Sequence, residues 1–483
     1  FSLLKKDDAF FFIFNIYYIR NGGKKMKGMF EYVKLKNFKS YSDVKFDITN
    51  KKGEAKKLAV VFGPNGYGKS NLASAFYMLQ ESLNTLNAKE IMDSIISSND
   101  LEDLPPEEII TMLKKNLKDI ETLIKTYKMV DTTAPMSLEF GFVIDNKHGV
   151  YLLEIGNEEI IHERLEFVLK KNKGLYFDIT PDEMQLSNYI FEDASIINNF
   201  KDVCNEYWGK HSFLSILLHE LNNKSKKFIN TSFKFTENFN SFFKFIHSYS
   251  CHIRISTKNN DAFLSVNNKD DDYLTVSSSG KIDKNNESFL DKMELILNEI
   301  CKSIFDDIES IYYERKLIKN KIKYRLKIKK NIDNKIREID FENESTGIKY
   351  LFNLIPFIIL SIKGDVVILD EFDMGLHDLL SFNLLNTIFS ASKGQLIVTS
   401  HNTLLMETNS TYDIENKISK ENIYIIYKNE NGIKNIKCID EFNKKIAQTT
   451  NIKNQYLSGA YDSLLNKNTS ISPKFLKNIE KLL

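Results

Sequence analysis

An α/β fold with a mixed sheet, split by a mainly helical insertion, is predicted by three stretches of the 483-residue sequence. LAVVFGPNGYGKSNLASAF, Leu58–Phe76, is a short apolar run, then a loop holding three glycines, then Lys-Ser and a helical pattern. DVVILDEFD, Asp365–Asp373, is a continuous apolar run ending in carboxylates, as expected of a strand buried in a parallel sheet. QLIVTSHN, Gln395–Asn402, is another such run, delivering a polar cluster with His401.

The loop Gly63-Pro64-Asn65-Gly66-Tyr67-Gly68-Lys69-Ser70 satisfies the phosphate-cradling pattern G-x-x-x-x-G-K-[ST]. Glycines let the backbone wrap a phosphate so that several N–H groups point inward. A helix beginning around Asn71 adds its dipole to the same anion. The pattern assigns Lys69 to the β- and γ-phosphates and Ser70 to Mg²⁺, so this loop is expected to bind a nucleoside triphosphate. At the carboxyl end of the second apolar run, Asp370 is placed to hold the Mg²⁺ shell and Glu371 to orient or deprotonate water. His401 suits a γ-phosphate sensor. Alone it would read as a structural histidine, and the order strand, carboxylates, helix, strand, His favours the sensor.

A chain of this length can bury a sizeable core, and 42% hydrophobic with 27% charged residues describes a globular protein. A net charge of +1 gives no global case for nucleic acid, so any such binding needs a local patch. Cys204, Cys251, Cys301 and Cys438 lie far apart without a C-x-x-C, which argues against a disulfide framework or zinc hook and for a reducing cytoplasm.

In chain order, residues 1–28 are expected to be a non-native or disordered extension. Its apolar run Ala9–Ile19 is too short to span a bilayer as a helix, so no stable membrane insertion is expected, a cleaved signal or anchor being the alternative. The N-terminal lobe, 29–180, opens with a strand pair over Phe30–Ile48. The phosphate loop follows, then a helical stretch over Lys89–Val130 interrupted by Pro105-Pro106. Strands return over Ser137–Ile179, with a hairpin turn at Asp145–Gly149. Residues 181–306 form the expected helical insertion, a lid or arm without the sustained heptads of a long coiled coil. The C-terminal lobe, 307–483, begins with a β region in which Lys321, Lys323, Arg325, Lys327 and Lys329 share one strand face. Those cations could contact phosphates, or merely solvate an edge strand. Ser345-Thr346-Gly347 precedes a strongly apolar helix and offers either a second anion site or an ordinary N-cap, or both.

The set GPNGYGKS, STG, ILDEFD, GLH and TSHN resembles the ABC-type ATPase head of SMC and RecF proteins. More closely, it is similar to bacterial AAA-type ATP-binding proteins associated with abortive infection and other anti-phage systems. YVKLKNFKSYSDVKF resembles that group's opening strand pair, and NQYLSGAYDSL, Asn454–Leu464, its C-terminal motif. The resemblance implies ATP and Mg²⁺ as ligands, with Lys69 and Ser70 at the phosphates and metal and Asn65 near the γ-phosphate. It makes Asp370 the Walker B carboxylate, Glu371 the base and His401 the switch histidine. Ser345 and Gly347 become a reduced signature motif that reaches a partner subunit's nucleotide, and His377 lies on the loop linking two sites. The signature departs from transporter-type L-S-G-G-Q, which argues against a transporter motor. Ala460 and Asp462 stand where Arg and Gly are expected in the C-terminal motif, which puts its role in question.

These implications support a sensor ATPase of an anti-phage system, forming a homodimer or higher oligomer through shared ATP sites. The residues after His401 leave no room for an appended nuclease as well as the end of the sheet, so a separate effector, a nuclease or toxin, is expected. The alternatives are a RecF/SMC-like repair or chromosome-maintenance ATPase and a non-hydrolysing nucleotide-gated scaffold, against which Glu371 speaks.

Overall fold

The computed structural model describes residues 28–86, 118–222, 233–252, 264–267, 273–276, 278–407, 418–442 and 451–461. The apolar run Ala9–Ile19, Pro105-Pro106 and Asp462 lie outside these residues.

Strands β1 (Gly28–Phe38) and β2 (Tyr41–Asp47) form the expected pair, and β3 (Leu58–Phe62) leads into α1 (Lys69–Ser82). After α2 (Ile120–Tyr127) come β4 (Met136–Ile144), β5 (Lys147–Ile155), β6 (Ile160–Val168), β7 (Lys173–Ile179) and β8 (Met184–Leu186). Then follow α3 (Ile196–Tyr207), α4 (Phe213–Asn222), α5 (Glu237–Ser248), β9 (Ser250–His252), β10 (Leu264–Asn267), β11 (Tyr273–Val276), β12 (Ser279–Asp283) and α6 (Glu287–Ile304). The C-terminal part holds β13 (Ile308–Ile318), β14 (Lys321–Ile332), β15 (Lys335–Asp340) and α7 (Thr346–Lys363). It closes with β16 (Val367–Leu369), α8 (Asp378–Ala391), β17 (Leu396–Thr399), β18 (Ile423–Lys428), β19 (Lys434–Cys438) and α9 (Ile452–Leu457).

The site is carried by a six-stranded mixed sheet ordered β19-β18-β3-β17-β16-β9. Its five strands from β18 to β9 run parallel, and β19 closes one edge antiparallel. Side chains alternate across β3: Ala59 and Val61 join one core, Leu58, Val60 and Phe62 the other. Both faces are therefore covered, which is why these strands read as unbroken apolar runs. On the first face, α1 lies between this sheet and a seven-stranded antiparallel sheet ordered β2-β1-β4-β5-β6-β7-β8. The turn between β4 and β5 holds Asp145 at φ 47° and Asn146 at φ 62°, a two-residue hairpin at the start of the expected Asp145–Gly149 turn, whose remaining residues already belong to β5. On the second face pack α6, α7, α8 and the small sheet β12-β14-β13, with β15 also on β14. Helix α7 is long and apolar enough to cross a membrane, yet 56% of it is buried inside the fold, as befits a core helix.

The stretch 181–306 is mainly helical, as expected, but its first helices do not stand out as a lid or arm. Residues Phe200, Phe213, Phe239, Phe242 and Phe245 of α3–α5 are buried against the antiparallel sheet rather than held out as a lid or arm. The segment is too rich in phenylalanine to stand alone in water, and the sheet needs a cover. Buried Glu163 of β6 pins α4 there, accepting from the backbone N–H of Phe213, Tyr151 Oη and Trp208 Nε1. Strand β9 then pairs in parallel with β16, so the supposed insertion supplies an edge of the six-stranded sheet, and β12 pairs with β14. Strand β14 is likewise central rather than an edge strand, paired with β13 on one side and with β12 and β15 on the other.

Candidate active site

The phosphate loop joins β3 to α1 with Gly66 at φ 79° and Gly68 at φ 113°, conformations that favour glycine. Space also excludes a side chain at Gly68, where a Cβ would stand 2.8 Å from Tyr41 Oη. Helix α1 starts at this glycine with no side-chain cap and no acidic residue in its first turn, so its N–H groups and dipole are left for an anion. The β1–β2 turn braces the loop. Tyr41 Oη donates to the Gly68 carbonyl at 2.9 Å, Asn71 donates to Ser40 Oγ at 2.7 Å and Lys39 Nζ reaches Ser74 Oγ at 3.1 Å. Lys434 of β19 holds the Gly66 carbonyl at 3.2 Å, and Lys428 lies over the ring of buried Tyr67. Asn65 and Gly66 form the exposed tip beside Pro64.

Lys69 is buried and its ammonium turns back onto the carbonyls of Gly63 and Pro64. Burial pulls its pKa down to about 8, against the upward pull of Glu371, Asp370 and Asp373. Those carboxylates arrive at the end of β16, two strands from β3, and β17 between them brings Thr399 and His401. Thr399 Oγ1 donates to Asp370 Oδ1 at 2.6 Å and accepts from the Glu371 N–H at 2.8 Å. Asp370 is buried, burial raises its pKa, and the Thr399 and Ser70 hydroxyls counter that rise. Its Oδ2 is buried without a hydrogen-bond partner. A desolvated carboxylate oxygen beside a loop serine is what a hard cation takes up, so Ser70 and Asp370 fit Mg²⁺. Among the described residues no group of three or more His, Cys, Asp or Glu side chains could hold a metal, so such a cation needs ligands from phosphate too.

Glu371 is held at φ 52°, a left-handed conformation rare for a residue with a side chain. Asp373 Oδ2 accepts the His401 N–H at 2.9 Å, which fixes the turn after β17 while the imidazole reaches the surface. Burial, then Lys69, lowers the His401 pKa, so the ring is neutral at physiological pH.

The structure thus brings Lys69, Ser70, Asp370, Glu371 and His401 to the same ends of neighbouring strands. It does not bring Ser345, Thr346 or Gly347 to the phosphate loop by any hydrogen bond. Ser345 and Thr346 are exposed, and Ser345 caps α7 through a long 3.4 Å bond from the Ile348 N–H. His377 caps α8, its Nδ1 accepting from Leu379. In the C-terminal motif, Tyr461 is buried with its hydroxyl on Gln455 Oε1.

Acids answer part of the basic face of β14. Lys327 pairs with Asp340 at 2.9 Å and Glu338 at 3.3 Å, and Arg325 sits 3.6 Å from Asp340. Lys321, Lys323 and Lys329 stay exposed, and Lys323 lies in a row across three strands with exposed Lys281 and Lys316, set by the register of β12, β14 and β13.

Sequence reasoning missed Thr399, Asp373, Gln395 and Tyr41. All four stood inside quoted motifs without a role. Gln395, fully buried, exchanges hydrogen bonds with both backbone groups of Phe30 and so ties β1 to the start of β17. Tyr41 carried no local signal, because its task is tertiary.

No curated protein matches the sequence. An Smc head domain with an extended coiled coil, bound to the C-terminal domain of ScpA and derived from Pyrococcus furiosus, is similar at TM-score 0.35 and 11% identity, covering 85% of this chain and 96% of its own. The recombination mediator protein RecF of the RecFOR pathway is similar in two forms. With ATPrS it gives TM-score 0.34 and 13% identity over 85% of this chain and 98% of its own. With ATP it gives 0.31 and 12% over 78% and 94%. The family described as "AAA domain, putative AbiEii toxin, Type IV TA system" matches residues 58–407, from β3 through the turn that follows His401. With that match spanning well over half of the sequence and both halves of the phosphate site, the chain belongs to this AAA-domain family of P-loop ATPases.

Proposed function

We propose that this chain binds and hydrolyses ATP with Mg²⁺ and that its subunits assemble by completing one another's ATP sites. The observation that carries the reading is the convergence, at the ends of parallel strands β3 and β16 with β17 between them, of a phosphate loop, a buried carboxylate with an orphaned oxygen, and Glu371 beside it. Backbone N–H groups of Gly66–Ser70 and the α1 dipole would hold the β- and γ-phosphates. Lys69 would leave the Gly63 and Pro64 carbonyls for the phosphate oxygens. Mg²⁺, held by Ser70, Asp370 and phosphate oxygens, would supply charge neutralisation. Glu371 would take the proton of a water attacking the γ-phosphorus while the bond to the β–γ bridging oxygen breaks. Neutral His401 would hydrogen-bond the γ-phosphate. Exposed Ser345 and Thr346, with half-buried Gly347 beside them, stand off their own phosphate loop and suit contact with a second copy's nucleotide.

The role we favour is a cytoplasmic regulatory ATPase of an anti-phage system with a separate effector; what the family's description contributes to it is the naming of a putative AbiEii toxin of a type IV TA system. The lysine row on the small sheet favours a second reading, a nucleic-acid maintenance ATPase. Turnover tests the shared core of both. Wild type should release phosphate from ATP only with Mg²⁺, and Glu371→Gln should lose at least ~100-fold in kcat while still binding ATP. A Glu371→Gln protein that turns over like wild type would remove Glu371 as the base.

A further inference from the structure

We propose that Tyr350 is a positioning residue that couples the Ser345-Thr346-Gly347 end of α7 to the backbone of Glu371 in the same chain, so that contact with a second subunit sets the base. The inference rests on the shared-site reading above and adds to it an intrachain route.

The starting point is the left-handed backbone of Glu371, which persists only where its surroundings hold it. Three hydrogen bonds at that turn are local or come from β17. Glu371 N–H donates to Thr399 Oγ1, Phe372 N–H to the Thr399 carbonyl, and Met374 N–H to the Glu371 carbonyl. The fourth comes from elsewhere: Tyr350 Oη of α7 donates to the Glu371 carbonyl at 2.8 Å. Tyr350 lies three positions after Gly347, so the two share a helix face in the first turn. That face is seated on the segment after β16. A Cβ at Gly347 would stand 2.8 Å from the Gly375 carbonyl oxygen, and a Cβ at Gly375 would meet Tyr350 Cβ at 3.9 Å. The helix end and the 371–375 turn therefore touch without slack, and backbone cannot yield there as a flexible side chain could. Burial, then Asp373, Asp370 and Glu371, push the Tyr350 phenol far above its ordinary range, so it remains a donor at any working pH.

The position of Ser345 decides what such a link would sense. The residues that cap α7 face solvent, and two positions inward the same helix rests on the base's own turn. A subunit whose nucleotide engaged Ser345–Gly347 would press on α7, and the hydrogen bond from Tyr350 would carry that displacement to Glu371.

Tyr350→Phe removes only the hydroxyl and leaves the Glu371 carbonyl its bond from Met374, so folding should survive. Three readouts are taken on wild type and variant: ATP-dependent mass by light scattering, KM for ATP, and specific ATPase activity against protein concentration. Wild-type specific activity should rise with concentration as subunits assemble. Tyr350→Phe should assemble with the same ATP dependence and the same KM, yet lose ~10-fold or more in kcat and most of that rise. Gly347→Ala, which pushes α7 off Gly375, should give the same kcat loss, and the double variant should be no worse than the weaker single. A Tyr350→Phe protein that keeps the wild-type rise overturns the coupling alone. A wild type whose specific activity ignores concentration while Glu371→Gln is inactive overturns the shared-site reading and the coupling with it.

Discussion

On the proposed reading, Lys69 is a residue built for a ligand at the expense of the fold. Its ammonium is buried against two backbone carbonyls, and burial holds its pKa near 8 rather than the lysine value of 10.5. A folded-state pKa below the unfolded one means that the unfolded chain binds more protons between those values, so this residue adds stability as pH rises from about 8 to 10.5 and penalises the fold below 8. Lys69→Met keeps the stem and removes the charge. Without nucleotide, its melting temperature at pH 7 should equal or exceed wild type, and the rise in stability between pH 8 and 10.5 should flatten. With ATP at a hundredfold over Kd, wild type should gain about 2.7 kcal/mol and Lys69→Met almost nothing. Thermal scans over pH, with and without ATP, check both arms, and a Lys69→Met protein that ATP still stabilises would displace Lys69 from the site. At this scale the sequence was most legible where chemistry is contiguous. Gly63–Ser70, Asp370, Glu371 and His401 each sit in a motif that names its own neighbours. Thr399, Tyr41 and Tyr350 did not stand out, because each acts on a group brought to it by strand register or helix packing.

Elements were legible in proportion to their burial pattern. Strand β14 alternates Ile322, Tyr324, Leu326 and Ile328, all buried, against the lysine-rich face, as its period of two requires. Its partners were not legible, and they change what that face can do. Asp340 and Glu338 on β15 neutralise Lys327 and draw on Arg325; with Lys321 and Lys329 of β14 also exposed, the row that runs across the strands is Lys281, Lys323 and Lys316. Reversal of those three to glutamate should weaken binding of a polyanion such as single- or double-stranded DNA and lower the salt slope by about 2–3. Reversal of Arg325 and Lys327 should change binding far less, and disturb the β14–β15 pair instead. Filter binding across a salt series separates the two sets, and equal effects would mean the whole strand face, or none of it, meets the ligand. The helices of 181–306 were legible as helices, but their placement was not, for a related reason. Their phenylalanines marked burial correctly, but a helical pattern does not say against what, and a three-residue strand such as β9 is too short to announce itself.

At the scale of the whole molecule, the phosphate loop and the carboxylates share one sheet, whereas Ser345–Gly347 project from a helix whose tip faces solvent. On the proposed reading a single chain supplies the protein groups that meet phosphate and metal, while its α7 tip reaches no nucleotide of its own. Two copies arranged face to face would satisfy both, with ATP stabilising the pair as a ligand bound only by the assembled state. Two substitutions push that equilibrium in opposite directions. Glu371→Gln keeps size and hydrogen bonding but cannot take a proton, so ATP should bind, stay uncleaved and hold subunits together at roughly twice the monomer mass or more. Ser345→Arg puts bulk and charge at the exposed tip, away from the chain's own phosphate loop. It should bind ATP with wild-type affinity yet stay monomeric. Light scattering with and without ATP on wild type and both variants decides the matter, because an unrelated self-association would respond to neither change. A Glu371→Gln protein whose mass ignores ATP would mean that each head works alone and that the α7 tip serves something other than a second nucleotide.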